Sequence, residues 1–192
     1  MADDGISCHY IAEGDSLLSA EDTSFSPPTD SIFFHETSCR GGLNSRQACA
    51  VESAAKSHPW RNIYVLFSGP VTESALHITS SSLFVLKKYP NINFARVHID
   101  EYAKNTAVEE FLAKKTIHAS PYKITHTSNY LRFITLFKYG GLYLDMDMIV
   151  LKPFYGLGRN WVVRENDHFI GSAVVNAAKD GLGQEFTRRV LE

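Results

Sequence analysis

The chain has 192 residues, of which 44% are apolar and 21% charged, with a formal net charge of −2. That length is enough for one domain with a real core, and the near-neutral balance excludes a basic surface for nucleic acid or anionic membrane. No run of about 18 apolar residues occurs, so no transmembrane helix is expected, and the acidic opening MADDGISCHYIAEGDSLL does not read as a signal peptide.

Residues 1–30 are rich in Asp, Glu, Ser and Thr and end near Pro27-Pro28, which reads as a mobile leader or stem remnant. The folded domain is then expected over residues 31–192. Residues 31–36 (SIFFHE) form a first buried strand. Residues 44–57 read as a helix, with Asn44 at the N-cap and Gln47 completing a capping box. Ala48, Val51, Ala54 and Ala55 give it a narrow face that can approach a sheet closely, and Pro59 ends it. Residues 62–67 (NIYVLF) are a second buried strand, stopped by Ser68-Gly69-Pro70. A weaker helix spans 74–89 through Leu76, Leu83, Phe84 and Leu86, and residues 92–99 alternate like a third strand. His77 and His98 have no partners at metal-ligand spacing and read as surface or structural histidines. Residues 100–120 are helical in the middle, with Thr106 as cap, an apolar face of Val108, Phe111 and Leu112, and Lys114-Lys115 in the last turn.

The most informative stretch is HTSNYLRFITLFKYGGLYLDMDMIVLKPF, residues 126–154. Tyr130, Leu131, Ile134 and Phe137 fall at helical spacing, with Thr127 or Ser128 as N-cap and Gly140 just past the end. A short strand follows into Asp145-Met146-Asp147. Extended geometry puts Leu142, Leu144, Met146 and Met148 on one face and Tyr143, Asp145 and Asp147 on the other. Two neighbouring carboxylates repel and are costly to desolvate, and a hard divalent cation removes that cost. Mg²⁺ and Mn²⁺ favour oxygen ligands, and Mg²⁺ takes only one or two protein carboxylates, phosphates and water filling the rest. Asn129 and Arg132, three apart, share a helical face, and an Arg beside a metal is a natural diphosphate anchor or a neutraliser of the acids. Residues 161–164, 169–170 and 173–176 read as short strands and 184–191 as a helix. The alternation points to a mainly parallel sheet with helices on both faces, in which ligands sit beyond the strand carboxyl ends.

This stretch resembles the sugar-binding DXD region of glycosyltransferase family 32. The family pattern of Ser-Asp-x-x-Arg, an apolar helix, Gly-Gly-x-Tyr-x-Asp-x-Asp, an apolar strand and Leu-Lys stands here as Ser128-Asn129-Tyr130-Leu131-Arg132, Gly140 to Asp147, and Val150-Leu151-Lys152. Phe33-Phe34-His35-Glu36-Thr37-Ser38 and Cys49-Ala50-Val51-Glu52-Ser53-Ala54-Ala55 fit as well, so the resemblance runs over residues 31–192. It implies a GT-A-like (Rossmann-type) α/β fold, incomplete at the C-terminus. It also implies a retaining hexosyl transfer, with galactose the relatives' sugar, from a UDP-sugar to a glycolipid or glycan acceptor in the Golgi, assisted by Mn²⁺ or Mg²⁺. The donor site it implies comprises His35, Glu36 and Thr37 at the first strand end, with Asn129, Arg132, Asp145 and Asp147, the last two also holding the metal.

The cysteines number three, Cys8, Cys39 and Cys49. A Cys39–Cys49 bridge would close a loop of about ten residues, worth on the order of 2–3 kcal/mol, and the relatives' cysteines favour it; two reduced thiols are the alternative. Two departures stand out. Asn129 replaces a family Asp that holds sugar hydroxyls, and the family's C-terminal acceptor-site part has no counterpart in these residues. The expectation is a weak or inactive transferase. Two other readings compete: a paralogue that binds UDP-sugar or a partner without transfer, and a haloacid-dehalogenase-type DxD phosphatase. The phosphatase motif opens its domain and wants Thr or Val where Ile149 stands.

Overall fold

The computed structural model describes residues 6–11 and 14–192. Seven strands form one sheet: β1 (Leu18–Ser19), β2 (Ile32–Glu36), β3 (Ile63–Phe67), β4 (Ile92–Arg96), β5 (Gly141–Leu144), β6 (Trp161–Arg164) and β7 (Ile170–Ala177). Their order is β1-β4-β3-β2-β5-β7-β6. The first five run parallel; β7 is antiparallel to both β5 and β6. β2 is buried at every position, as a central strand covered on both faces must be.

Among the described residues, seven α-helices accompany the sheet: α1 (Ser45–Ser57), α2 (Glu73–His77), α3 (Ser82–Leu86), α4 (Ile99–Tyr102), α5 (Glu109–Ala113), α6 (Lys123–Tyr139) and α7 (Gly181–Leu191). The period-two alternation of the strands divides the core. Ile32, Phe34, Leu142 and Leu144 pack with α1, α2 and α3. Phe33, Leu66 and Tyr143 pack on the other face with α4, α5, α6 and α7. Met146 and Met148 pack against the same cluster as Leu142 and Leu144.

The topology creates a crevice. From β2 the chain adds β3 and then β4 on one side, and β5 lands on the other side of β2. The carboxyl ends of β2 and β5 therefore flank the point where the strand order reverses, where ligands bind in open α/β sheets. The double glycine makes the β5 placement possible. Gly140 has φ +69° and Gly141 has φ +99°, conformations that suit glycine. A Cβ at Gly141 would meet the Ser31 carbonyl oxygen at 2.5 Å, and one at Gly140 the Lys179 amide nitrogen at 2.6 Å.

Several expectations need correction. The described part of residues 1–30 is not a mobile leader: Ile6, Cys8, His9, Ala20 and Phe25 are buried, and β1 pairs with β4. The cause is Arg96, wholly buried, which takes an ion pair from Asp15 at 2.8 Å and binds the carbonyls of Cys8 and Ile11 at 3.2 and 2.8 Å. That expectation at residues 1–5 and 12–13 falls outside the described residues. The 74–89 helix is two short helices, α2 and α3. Helix α5 has no side-chain cap, Thr106 instead bonding the Ala103 carbonyl, and it ends before Lys114 and Lys115. Helix α6 begins at Lys123, a turn before Thr127 and Ser128, which lie inside it. The strands foreseen at 169–170 and 173–176 are one strand, β7. The strand expected directly after the acidic pair does not form over residues 148–152; Val150 is held instead by side chains of α1, its amide bonding Ser53 Oγ and its carbonyl Ser57 Oγ. The disulfide joins Cys8 to Cys39, and Cys49 is free and exposed. The Asn44–Gln47 capping box is present as read. Among the described residues no helix is long and apolar enough to cross a membrane.

Candidate functional site

The crevice at the β2 and β5 carboxyl ends is an open cavity of about 430 Å³. Its walls include His35, Glu36 and Thr37 from β2 and the loop after it, Arg46 and Gln47 from the start of α1, Thr125, Ser128 and Arg132 from α6, and Tyr143, Asp145 and Asp147. Thr125, Ser128 and Arg132 are spaced by three and four, so α6 presents one stripe to the cleft. Asn129 is half-buried and is not among the residues that line it. Every other expected donor-site residue converges there.

The two acids are not alike. β5 ends at Leu144, and Asp145 to Asp147 form a turn in which the Met148 amide bonds the Asp145 carbonyl at 3.0 Å. A turn, not strand alternation, aims both acids at one space. Asp145 is held firmly: its Oδ1 accepts from the Tyr143 hydroxyl at 2.7 Å and pairs with Arg132 at 3.1 Å. Burial raises its carboxyl above the ordinary aspartate range, against the opposing pull of Arg132. Asp147 is exposed and makes no hydrogen bond or ion pair with the described residues.

Arg132 is only 4% exposed and its five N–H groups are all directed at protein acceptors. Nε donates to the Ser128 carbonyl at 3.4 Å, one terminal nitrogen to the Ser172 carbonyl and hydroxyl at 2.6 and 2.9 Å, and the other to Ser128 Oγ at 3.4 Å and to Asp145. Its guanidinium also lies 4.8 Å from the centre of the Tyr143 ring. Arg132 is thus the brace that orients Asp145. Ser172, which completes that brace from β7, carried no signal in the sequence; only sheet pairing brings it beside α6. Tyr143 stood in the quoted pattern without a role, and its hydroxyl proves to be the second support of Asp145.

On the β2 side, two buried acceptors are bare. The Thr135 hydroxyl has one proton, and it bonds the Leu131 carbonyl, which can only accept, at 2.8 Å. The Tyr102 hydroxyl at 2.9 Å and His35 Nε2 at 2.7 Å must then both donate to Thr135. His35 therefore carries its proton on Nε2, and Nδ1 is a lone-pair acceptor without a partner among the described residues. Glu36 accepts from the Ser38 amide at 3.0 Å and from the Ser38 hydroxyl through Oε1, while Oε2 has no partner among the described residues.

Burial, with Arg132 nearby, pushes the His35 imidazole down to about 3. An ordinary unfolded histidine titrates near 6.5, so between these values the unfolded chain binds more protons than the folded one. Stability is then full above about pH 6.5 and falls as pH drops towards 3. Denaturant unfolding at successive pH values checks this. His35→Leu is expected to flatten that acid limb by up to about 1.4 kcal/mol per pH unit; an unchanged slope would count against it.

The donor set suits a hard cation. Among the described residues, the one cluster of three or more His, Cys, Asp or Glu ligand atoms is Cys8, His9 and Cys39, whose two sulfurs are joined to each other. The turn at one side of the cleft instead offers the two carboxylates of Asp145 and Asp147, which fits Mn²⁺ or Mg²⁺ bound together with phosphates and water.

A family described as a glycosyltransferase sugar-binding region containing a DXD motif matches residues 44–167, a span that includes α1, Arg132, Tyr143 and both acids. The chain belongs to this family. Lactosylceramide 4-alpha-galactosyltransferase of Homo sapiens is 33% identical over 134 residues, 70% of this chain and 38% of that protein. The Mus musculus protein of the same name is 32% identical over 126 residues, 66% of this chain and 35% of that one. The chain thus spans little more than a third of the length of these curated relatives. Among solved structures, the PaToxG glycosyltransferase superposes with a TM-score of 0.50 at 18% identity, covering 80% of this chain and 57% of that one. That likeness bears on the fold, and the architecture is the GT-A type.

Proposed function

We propose that this chain binds a UDP-sugar with Mn²⁺ or Mg²⁺ and takes part in retaining transfer of a hexose, galactose by analogy with its relatives, to a glycolipid or glycan hydroxyl. The observation that carries the reading is the convergence of Asp145, Asp147 and the β2 end on one cleft at the reversal of strand order. Asp147, with Asp145, would hold the metal, which supplies positive charge to the diphosphate leaving group. Arg132 and Tyr143 keep Asp145 Oδ1 occupied, so the other carboxylate oxygen faces the ligand's demands. The bare acceptors of His35 and Glu36 suit the N–H and O–H groups of a nucleoside, and they repel phosphate. With Thr37 they would form the nucleoside end of the cleft. Asn129 enters the reading only if its side chain turns towards the donor sugar. A Golgi location is part of the proposal, and the Cys8–Cys39 bridge fits an oxidising compartment.

Thermal unfolding with UDP, with Mn²⁺, and with both tests the proposal. Stabilisation that requires both together is the expected result; none with the pair would refute it. A UDP-galactose turnover assay then separates transfer from binding alone.

A further inference from the structure

The wall of the cleft at Thr37 and Ser38 is not held by its own strand alone. A segment from the start of the chain reaches across and fastens it. Cys8 is bonded to Cys39, with Cα atoms 5.6 Å apart. The His9 ring donates from Nε2 to the Thr37 carbonyl at 3.0 Å. Cys39 has φ +63°, a left-handed conformation that a non-glycine residue keeps only when its surroundings enforce it. The bridge sits against Gly69, where an added Cβ would meet Cys8 Sγ at 3.0 Å and Cys39 Cα at 3.2 Å. Next to it, the amide of Ser68 bonds the Glu36 carbonyl at 3.0 Å. The far end of the segment is anchored through Arg96, by the Cys8 and Ile11 carbonyls and the Asp15 carboxylate.

We infer that Cys8 and His9 are positioning residues for the ligand cleft: they hold the Thr37–Cys39 turn so that Glu36, Thr37 and Ser38 face the bound nucleotide. This rests on reading the cleft as a nucleotide-sugar site. The physical basis is specific. Ser38 fixes Glu36 Oε1 and lines the cavity itself, and its neighbour Cys39 is in a conformation the free backbone disfavours. Releasing the bridge lets Cys39 leave the left-handed region, which carries Ser38 away from Glu36. Reduction by a dithiol does this directly: the Cys8–Cys39 S–S bond is replaced by two thiols, and the reductant's two thiols become its own disulfide. The cleft is thereby competent in an oxidising compartment and loosened in a reducing one.

The test is UDP titration in the presence of Mn²⁺ by calorimetry at low temperature, with circular dichroism confirming that each protein is folded. Oxidised wild type, Cys8→Ser and His9→Ala are compared. Cys8→Ser is expected to raise the UDP Kd tenfold or more in folded protein, and His9→Ala about threefold with the bridge intact. A purely structural role lowers the unfolding temperature but leaves the Kd of the folded protein unchanged, and that result overturns the inference while leaving the proposed function standing. If Cys8→Ser does not fold, an unchanged Kd in His9→Ala overturns it alone. Absence of UDP binding by oxidised wild type sinks the functional reading itself.

Discussion

Asp147→Ala is expected to abolish the stabilisation by UDP and Mn²⁺ together while leaving the ligand-free protein as stable as wild type. A ligand at a hundred times its Kd stabilises the folded state by about 2.7 kcal/mol. For a chain of this size each kcal/mol moves Tm by about 2–4 °C, so wild type should gain roughly 5–10 °C. The variant should gain nothing. The asymmetry follows from the site. Asp147 is exposed and bonds nothing among the described residues, so its removal costs the fold within about 0.5 kcal/mol. Asp145 is different: it accepts from Tyr143 and Arg132, and its loss leaves a buried guanidinium short of its charge partner. A variant at Asp147 therefore reads ligand binding with little interference from stability. If UDP and Mn²⁺ stabilise Asp147→Ala as much as wild type, the metal is not held at this turn.

The largest effect on stability is expected from Arg96→Ala, a loss of about 3–5 kcal/mol, the usual cost of removing one partner of a buried ion pair. Arg96 has no exposure, and Asp15 beside it is nearly as buried. The guanidinium also serves four carbonyls, those of Phe67, Val97, Cys8 and Ile11. Urea unfolding measures the loss. Replacing a buried ion pair by apolar residues is often neutral, which sharpens the test. Arg96→Met with Asp15→Leu is expected to remain well below wild type, because the four carbonyls lose their donor whatever happens to the charges. Full recovery in the double variant would show that the carbonyl hub is dispensable and that the loss in Arg96→Ala comes from stranding the Asp15 carboxylate.

Much of this molecule was legible along the chain. Alternation placed β2, β3, β4 and β5 to within a residue or a few, and the Asn44–Gln47 capping box marked the start of α1. The helix, double glycine, strand and paired acids of residues 126–147 pointed to the family, because each feature is set by neighbours a few residues away. Even the unusual backbone at Gly140 was foreshadowed by its place past a helix end. Some of the errors were local in kind. Thr127 and Ser128 make good N-caps, but α6 begins a turn further back, at Lys123, and Thr127 is buried inside it.

What the sequence by itself determined, then, is the strand and helix pattern, the family and the two acids, since periodicity and short motifs depend on contacts over one or two turns. Tertiary structure alone decided the rest: Cys8 rather than Cys49 as the partner of Cys39, Asp15 as the companion of Arg96, and Ser172 as the brace of Arg132. Each of those pairs joins residues 31 or more positions apart. They meet because β4 and β7 take their places in the sheet order, and no local spacing encodes that order.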